Sequence, residues 1–117
     1  MLKQLLILAI TTTVLPANAQ IIYSGRDHNP IGIISKSQDQ RDSICNEYGA
    51  GSEYRIDGIY NRLGTNGSDS GNYGAYNPYA KAPPYIVSGK TVYFITVKRT
   101  SYPYIIHPDL LKDWCYK

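Results

Sequence analysis

Aromatic variety, sulfur and histidine are scarce in this chain of 117 residues, which has one Phe, one Trp, one Met, two Cys and two His. Charge is thin as well: Asp, Glu, Lys and Arg make up 18% of the chain and leave a formal net charge of +3. Basic residues stand singly apart from Lys98-Arg99 and interleave with acids, which argues against a nucleic-acid partner, because phosphate binding needs a basic stripe. No CxxC pair occurs and no His clusters with either Cys, which removes the common zinc and thioredoxin-like patterns. Paired carboxylates and a nucleophile elbow are missing too. Gly89-Lys90-Thr91 is not a phosphate loop, since Pro84 stands where the upstream glycine is required. The spacer Asn66-Gly67-Ser68-Asp69-Ser70-Gly71 brings one carboxylate, too few hard oxygens for calcium. Asp27-His28 and His107-Pro108 read as turn and capping residues rather than as acid–base groups. Neither catalysis, a metal nor a cofactor is expected.

Long apolar runs are also missing. Met1-Leu2-Lys3, the apolar segment Leu5 to Ile10 and the small-residue box Ala17-Asn18-Ala19 have the anatomy of a signal peptide cleaved before Gln20. That segment is too short, and too soon followed by Pro16, for a membrane span. Residues 20–117 are expected to form one small domain, secreted or periplasmic, with no membrane span after cleavage.

Tyrosine and glycine are plentiful, with 12 and 10 copies. They concentrate in residues 43–81, where one phrase is repeated: Ser43-Ile44-Cys45-Asn46-Glu47-Tyr48-Gly49, Gly58-Ile59-Tyr60-Asn61-Arg62-Leu63-Gly64 and Gly74-Ala75-Tyr76-Asn77-Pro78-Tyr79-Ala80. An Asn side chain accepts from the backbone two residues on, and a Gly three residues on tolerates positive φ, so each phrase predicts a turn carrying an aromatic or aliphatic plug. The spacers between phrases are too polar for helix or core strand. Asn66-Gly67-Ser68 is also an N-glycosylation acceptor pattern, meaningful in a eukaryotic source.

Framing this region are Gln20–Ser24 and Pro30–Ser35, β-branched runs spaced for a hairpin, and the hairpin over residues 85–98 with its turn at Ser88-Gly89-Lys90. The strand Thr91 to Val97 is apolar on both faces, which predicts a central position. Pro108 suits the first position of a short helix to Trp114, which would turn Leu111 and Cys115 inward. In an oxidising compartment the economical pairing is a Cys45–Cys115 disulfide. The fold class is therefore mainly β: a small sheet, a Gly/Asn/Tyr-rich meander and a short C-terminal helix.

The tandem Asn-x-Tyr-Gly and Gly-Ser-x-Tyr phrases, behind a Gly-Ile-Ile-Ser strand at Gly32 to Ser35 and ahead of an apolar hairpin, resemble a group of small, uncharacterised exported bacterial proteins. The resemblance covers roughly Ile31 to Val97. It departs in the second unit, where Leu63 replaces Tyr and Gly67-Ser68-Asp69 replaces Gly-Ser-x-Tyr. It implies bacterial export and a repeat meander, and brings no activity.

Tyr buries its ring while keeping its hydroxyl wet, which suits both a thin core and a gripping surface. Tyr48, Tyr54, Tyr60, Tyr73, Tyr76 and Tyr79 are the candidate surface for a protein or glycan of the cell envelope. The functional expectation is a non-enzymatic, exported binding or structural protein. Two alternatives are a secreted inhibitor or effector that inserts a Gly/Asn-rich loop into another protein, and, less well supported, a small hydrolase using His28 or His107.

Overall fold

The structure, a computed structural model, describes residues 20–98 and 102–117; the expected signal peptide lies outside the described residues. In chain order the elements are β1 (Gln20–Tyr23), β2 (Pro30–Ile34), β3 (Tyr85–Ser88), β4 (Thr91–Ile95), β5 (Ile105–Ile106) and the helix α1 (Pro108–Trp114). The strands form one sheet in the order β2-β1-β3-β4-β5, antiparallel except for the parallel β4–β5 pair. Among the described residues no helix is long and apolar enough to cross a membrane.

Both hairpins form where turn chemistry places them. Ser88 pairs with Thr91, so Gly89 and Lys90 alone make the β3–β4 loop. Gly89 has φ of 63° and Lys90 is not left-handed, the type II′ pattern whose twist matches the flanking strands. Between β1 and β2 the Ser24 N–H donates to Asn29 O at 2.9 Å, and His28 turns the chain with a left-handed φ of 62°.

Alternation along the strands sorts the two faces of the sheet. Ile22, Ile86 and Ile95 point into the core, while Tyr23, Tyr85 and Phe94 line the other face with successive ring centroids 5.5 and 6.2 Å apart. The strand expected over residues 91–97 lies inside the sheet, between β3 and β5, but it is shorter than expected and is not covered along its whole length. β3 is central, β4 ends at Ile95 and Val92 is exposed. The neighbour β5 is only two residues long and pairs with Phe94 and Ile95, so among the described residues no strand pairs with the hairpin end of β4 on that side.

From Ser35 to Pro84 the chain contains no helix and no strand, only one isolated parallel bridge between Ile33 and Ser43. This stretch nonetheless supplies much of the core. Ile44, Ile59 and Ala75 pack with Ile22, Ile86 and Ile95. The meander is docked onto the sheet by polar bonds as well: Ser24 Oγ donates to Asn66 Oδ1 at 2.8 Å, and Val97 N–H donates to Ala75 O at 3.0 Å.

Helix α1 closes the remaining side. His107 is its N-cap in extended conformation, its Nδ1 accepting from Asp109 N–H at 3.1 Å, and Pro108 is the first helical residue. Leu111 and Cys115 face inward, and Cys115 is bonded to Cys45 across 70 residues of chain with a Cα–Cα distance of 5.2 Å. The helix thereby caps Tyr60 and Tyr76, whose rings lie in the same cluster.

Candidate functional site

The three Asn-centred phrases share one pattern of hydrogen bonds. In each, the amide N–H groups of the residue three before Asn, of Asn itself and of the residue three after it donate to the carbonyl three residues earlier. The bonds are Ser43→Gln40, Asn46→Ser43 and Gly49→Asn46 in the first, Gly58→Arg55, Asn61→Gly58 and Gly64→Asn61 in the second, and Gly74→Gly71, Asn77→Gly74 and Ala80→Asn77 in the third, all 3.0–3.2 Å. A run of successive tight turns results.

The Asn amide staples each run. Its Nδ2 donates six residues back, to Gln40 O, Arg55 O and Gly71 O at 3.0, 3.0 and 2.8 Å. Its Oδ1 accepts two residues on, from Tyr48, Leu63 and Tyr79 N–H at 2.9, 3.0 and 2.9 Å. The Asx-turn expected from sequence is there, while the expected use of glycine is corrected. No left-handed φ occurs at Gly49 or Gly64. Glycine serves close approach instead: a Cβ on Gly49 would lie 2.1 Å from Arg41 O and one on Gly64 2.6 Å from Ile56 O.

This geometry assigns each side chain a direction. The residue before Asn points inward: Cys45 into the disulfide, and Tyr60 and Tyr76 into the core. Tyr60 and Tyr76 are therefore removed from the candidate contact surface. At the position two after Asn the amide is held by Oδ1 and the side chain stands in solvent, with Tyr48 96%, Leu63 99% and Tyr79 82% exposed. These residues are not plugs, as the sequence reading had them. Tyr54, in the spacer after the first phrase, and Ile56 beyond it are likewise exposed, and Tyr73 is half-buried.

Tyr48 and Tyr54 belong to one groove of about 450 Å³, with Glu47, Gly51, Ser52, Glu53 and Lys112. Glu53 Oε1 accepts from Lys112 Nζ at 2.9 Å. That hydrogen bond and the ammonium charge hold the Glu53 carboxyl below its usual range. Glu47 accepts from the Tyr116 hydroxyl, which raises the phenol of Tyr116. On another side of the same two rings, Arg41 and Arg55 line a second concavity of about 380 Å³. Arg55 is paired with Asp57 at 2.7 Å.

Beside α1 lies a partly buried polar cluster. Tyr76 Oη donates to Asp109 Oδ1 at 2.9 Å, and the Arg62 guanidinium sits 4.0 Å above the Tyr76 ring centre. Tyr60 Oη is buried with no hydrogen-bond partner among the described residues. Desolvation, followed by the charges and hydroxyls around Asp109, pushes the Tyr60 phenol far above its ordinary value, and burial with the Asp109 bond does the same for Tyr76.

The remaining sequence candidates are structurally occupied. His28 Nδ1 is 2.8 Å from Tyr85 Oη, and His107 caps α1. Asn66 is buried, its Nδ2 donating to Asp57 O at 3.0 Å, so the glycosylation reading is corrected: that amide is inaccessible. The following Gly67 packs against Asn61 O and Ser68 Oγ accepts from Gly71 N–H at 2.7 Å, which pins this Gly/Asn-rich loop. Among the described residues no group of three or more His, Cys, Asp or Glu is placed to hold a metal ion.

Sequence reasoning missed Glu47, Glu53 and Lys112 because Lys112 arrives from 59 residues away along the chain. The inward direction of Tyr60 and Tyr76 did have a signal: both align with Cys45, and a disulfide-bonded Cys is buried. Comparison with family models, with characterised proteins and with solved structures finds no match.

Proposed function

We propose that this chain is an exported, non-enzymatic binding protein of the cell envelope, secreted or periplasmic, that presents side chains from a rigid run of Asn-stapled turns. Export is supported by the leader-like residues 1–19 and by a disulfide that persists in oxidising compartments. The resemblance to small exported bacterial proteins points the same way.

One observation carries the binding reading. Tyr48, Leu63 and Tyr79 occupy the same position of three hydrogen-bonded turns and put large apolar side chains in solvent, while the core closes without them. Single exposed apolar residues are commonplace; the same outward position filled three times from a fixed scaffold is what a contact surface requires. Rigid backbone beneath such rings also lowers the ordering cost of binding.

Fractionation of cells producing the full chain tests this reading. The wild-type protein is expected with the envelope. A variant carrying Tyr48→Ala, Tyr54→Ala, Leu63→Ala and Tyr79→Ala is expected to fold, with an unchanged circular dichroism spectrum, and to move to the soluble fraction. A folded variant that stays with the envelope like the wild type defeats the proposal.

A further inference from the structure

We infer that the groove between Tyr48, Tyr54 and Lys112 is a polysaccharide site, in which the two tyrosine rings stack on pyranose rings and Glu47, Ser52 and Glu53 take their hydroxyls. This rests on the binding reading above and names the ligand class. The groove volume of about 450 Å³ falls within the range of about 300–1,000 Å³ usual for ligand sites.

The wall chemistry selects among ligands. Two carboxylates and one ammonium give the groove a net negative charge, which disfavours phosphates and nucleic acid. Glu47, Glu53 and Lys112 line it, and charged side chains of these types are depleted from the cores of protein interfaces. A cationic peptide is the closest competitor, yet both carboxylates already have partners, Glu53 in Lys112 and Glu47 in the Tyr116 hydroxyl. Lys112 offsets the charge of Glu53 and the Tyr116 hydroxyl occupies one site on Glu47, while the remaining lone pairs of both carboxylates and the Ser52 hydroxyl are open to neutral hydroxyl groups. A pyranose ring meets this surface on both counts: its C–H face lies on a tyrosine ring and its equatorial hydroxyls reach the carboxylates.

The groove is also preorganised. Glu47 lies two residues from Cys45 and Lys112 three residues from Cys115, so the disulfide ties the two walls together. Tyr48 N–H is fixed by Asn46 Oδ1, and Tyr54 N–H by Ser52 Oγ at 3.0 Å.

Co-sedimentation of the full, disulfide-intact chain with insoluble cellulose, chitin and peptidoglycan sacculi tests the proposal, with a soluble oligolysine peptide as the cationic control. Retention on at least one polysaccharide is expected, weakened about tenfold by Tyr48→Ala and by Tyr54→Ala, as the loss of one aromatic contact implies. Tyr104→Ala, at an exposed ring outside both the groove and the turn run, is expected to leave it unchanged. Absence of retention on all three, or retention indifferent to both groove variants, overturns the site. Tyr48-dependent binding of oligolysine instead assigns the groove to a cationic peptide and equally overturns it. If polysaccharides fail while envelope association persists and is removed by protease, the broader binding reading stands without the saccharide. Loss of both retires the two together.

Discussion

Replacing Asn77 by Ala is expected to remove the staple of the third turn run and cost the domain about 2–4 kcal/mol. The side chain is buried and makes two bonds, donating to Gly71 O at 2.8 Å and accepting from Tyr79 N–H at 2.9 Å. Each such bond contributes about 1 kcal/mol net, and each stranded backbone partner adds a desolvation penalty of about 1 kcal/mol or less where water reaches it. Asn77→Asp separates the two halves of the staple. It keeps the acceptor for Tyr79 but sets a carboxylate oxygen against Gly71 O, so a loss of about 2 kcal/mol or more is expected near neutral pH, shrinking as the carboxyl protonates. Asn61→Ala, at a half-buried position where water replaces part of what is lost, should cost about 1–2 kcal/mol. Urea denaturation at fixed pH reads all three, through a lowered midpoint at unchanged slope. Domains of this size have about 5–15 kcal/mol in total, so the Asn77 effect is well resolved. A loss under about 0.5 kcal/mol for Asn77→Ala, the range of ordinary surface changes, would falsify the staple as an energetic element.

Removing the cross-link by a double Cys45→Ala and Cys115→Ala substitution frees a loop closed over 70 residues, which the chain-entropy model values at about 4 kcal/mol as an upper figure. Thermal unfolding should register a large drop, and a melting temperature unchanged within error would contradict the clamp. Tyr60→Phe deletes a buried hydroxyl that has no partner among the described residues, so the variant should be as stable as the wild type or more stable by about 1 kcal/mol; a clear loss would mean the hydroxyl is satisfied. Tyr60 and Tyr76 have raised phenol values, so the unfolded chain gives up its protons first. Their contribution is therefore complete below about pH 10, the ordinary phenol value, and declines as pH rises beyond it. Denaturation midpoints that stay flat from pH 9 to 12 would refute that sign.

Much of the fold was legible because its signals are local. The Gly89 turn, the Pro108 helix start and the Asn acceptor two residues before Tyr48 each depend on a few adjacent residues. The cysteine pairing was legible from the count of two and the expected oxidising compartment. The direction of each tyrosine was harder, since Tyr60 and Tyr79 sit in similar phrases and only their offset from Asn decides between core and solvent. The exposed end of β4 was not legible, because it depends on how far β5 extends along it. The groove was illegible for the same reason: Lys112 and Glu53 are 59 residues apart in the chain and meet only in the fold, near the Cys45–Cys115 disulfide.

Native-state amide hydrogen exchange tests the central claim, a rigid turn scaffold beneath freely exposed side chains. The amides of Tyr48, Leu63 and Tyr79 should be strongly protected by their Asn acceptors although their side chains stand almost wholly in solvent. Exchange of these three amides at the rate of an unstructured peptide would contradict it.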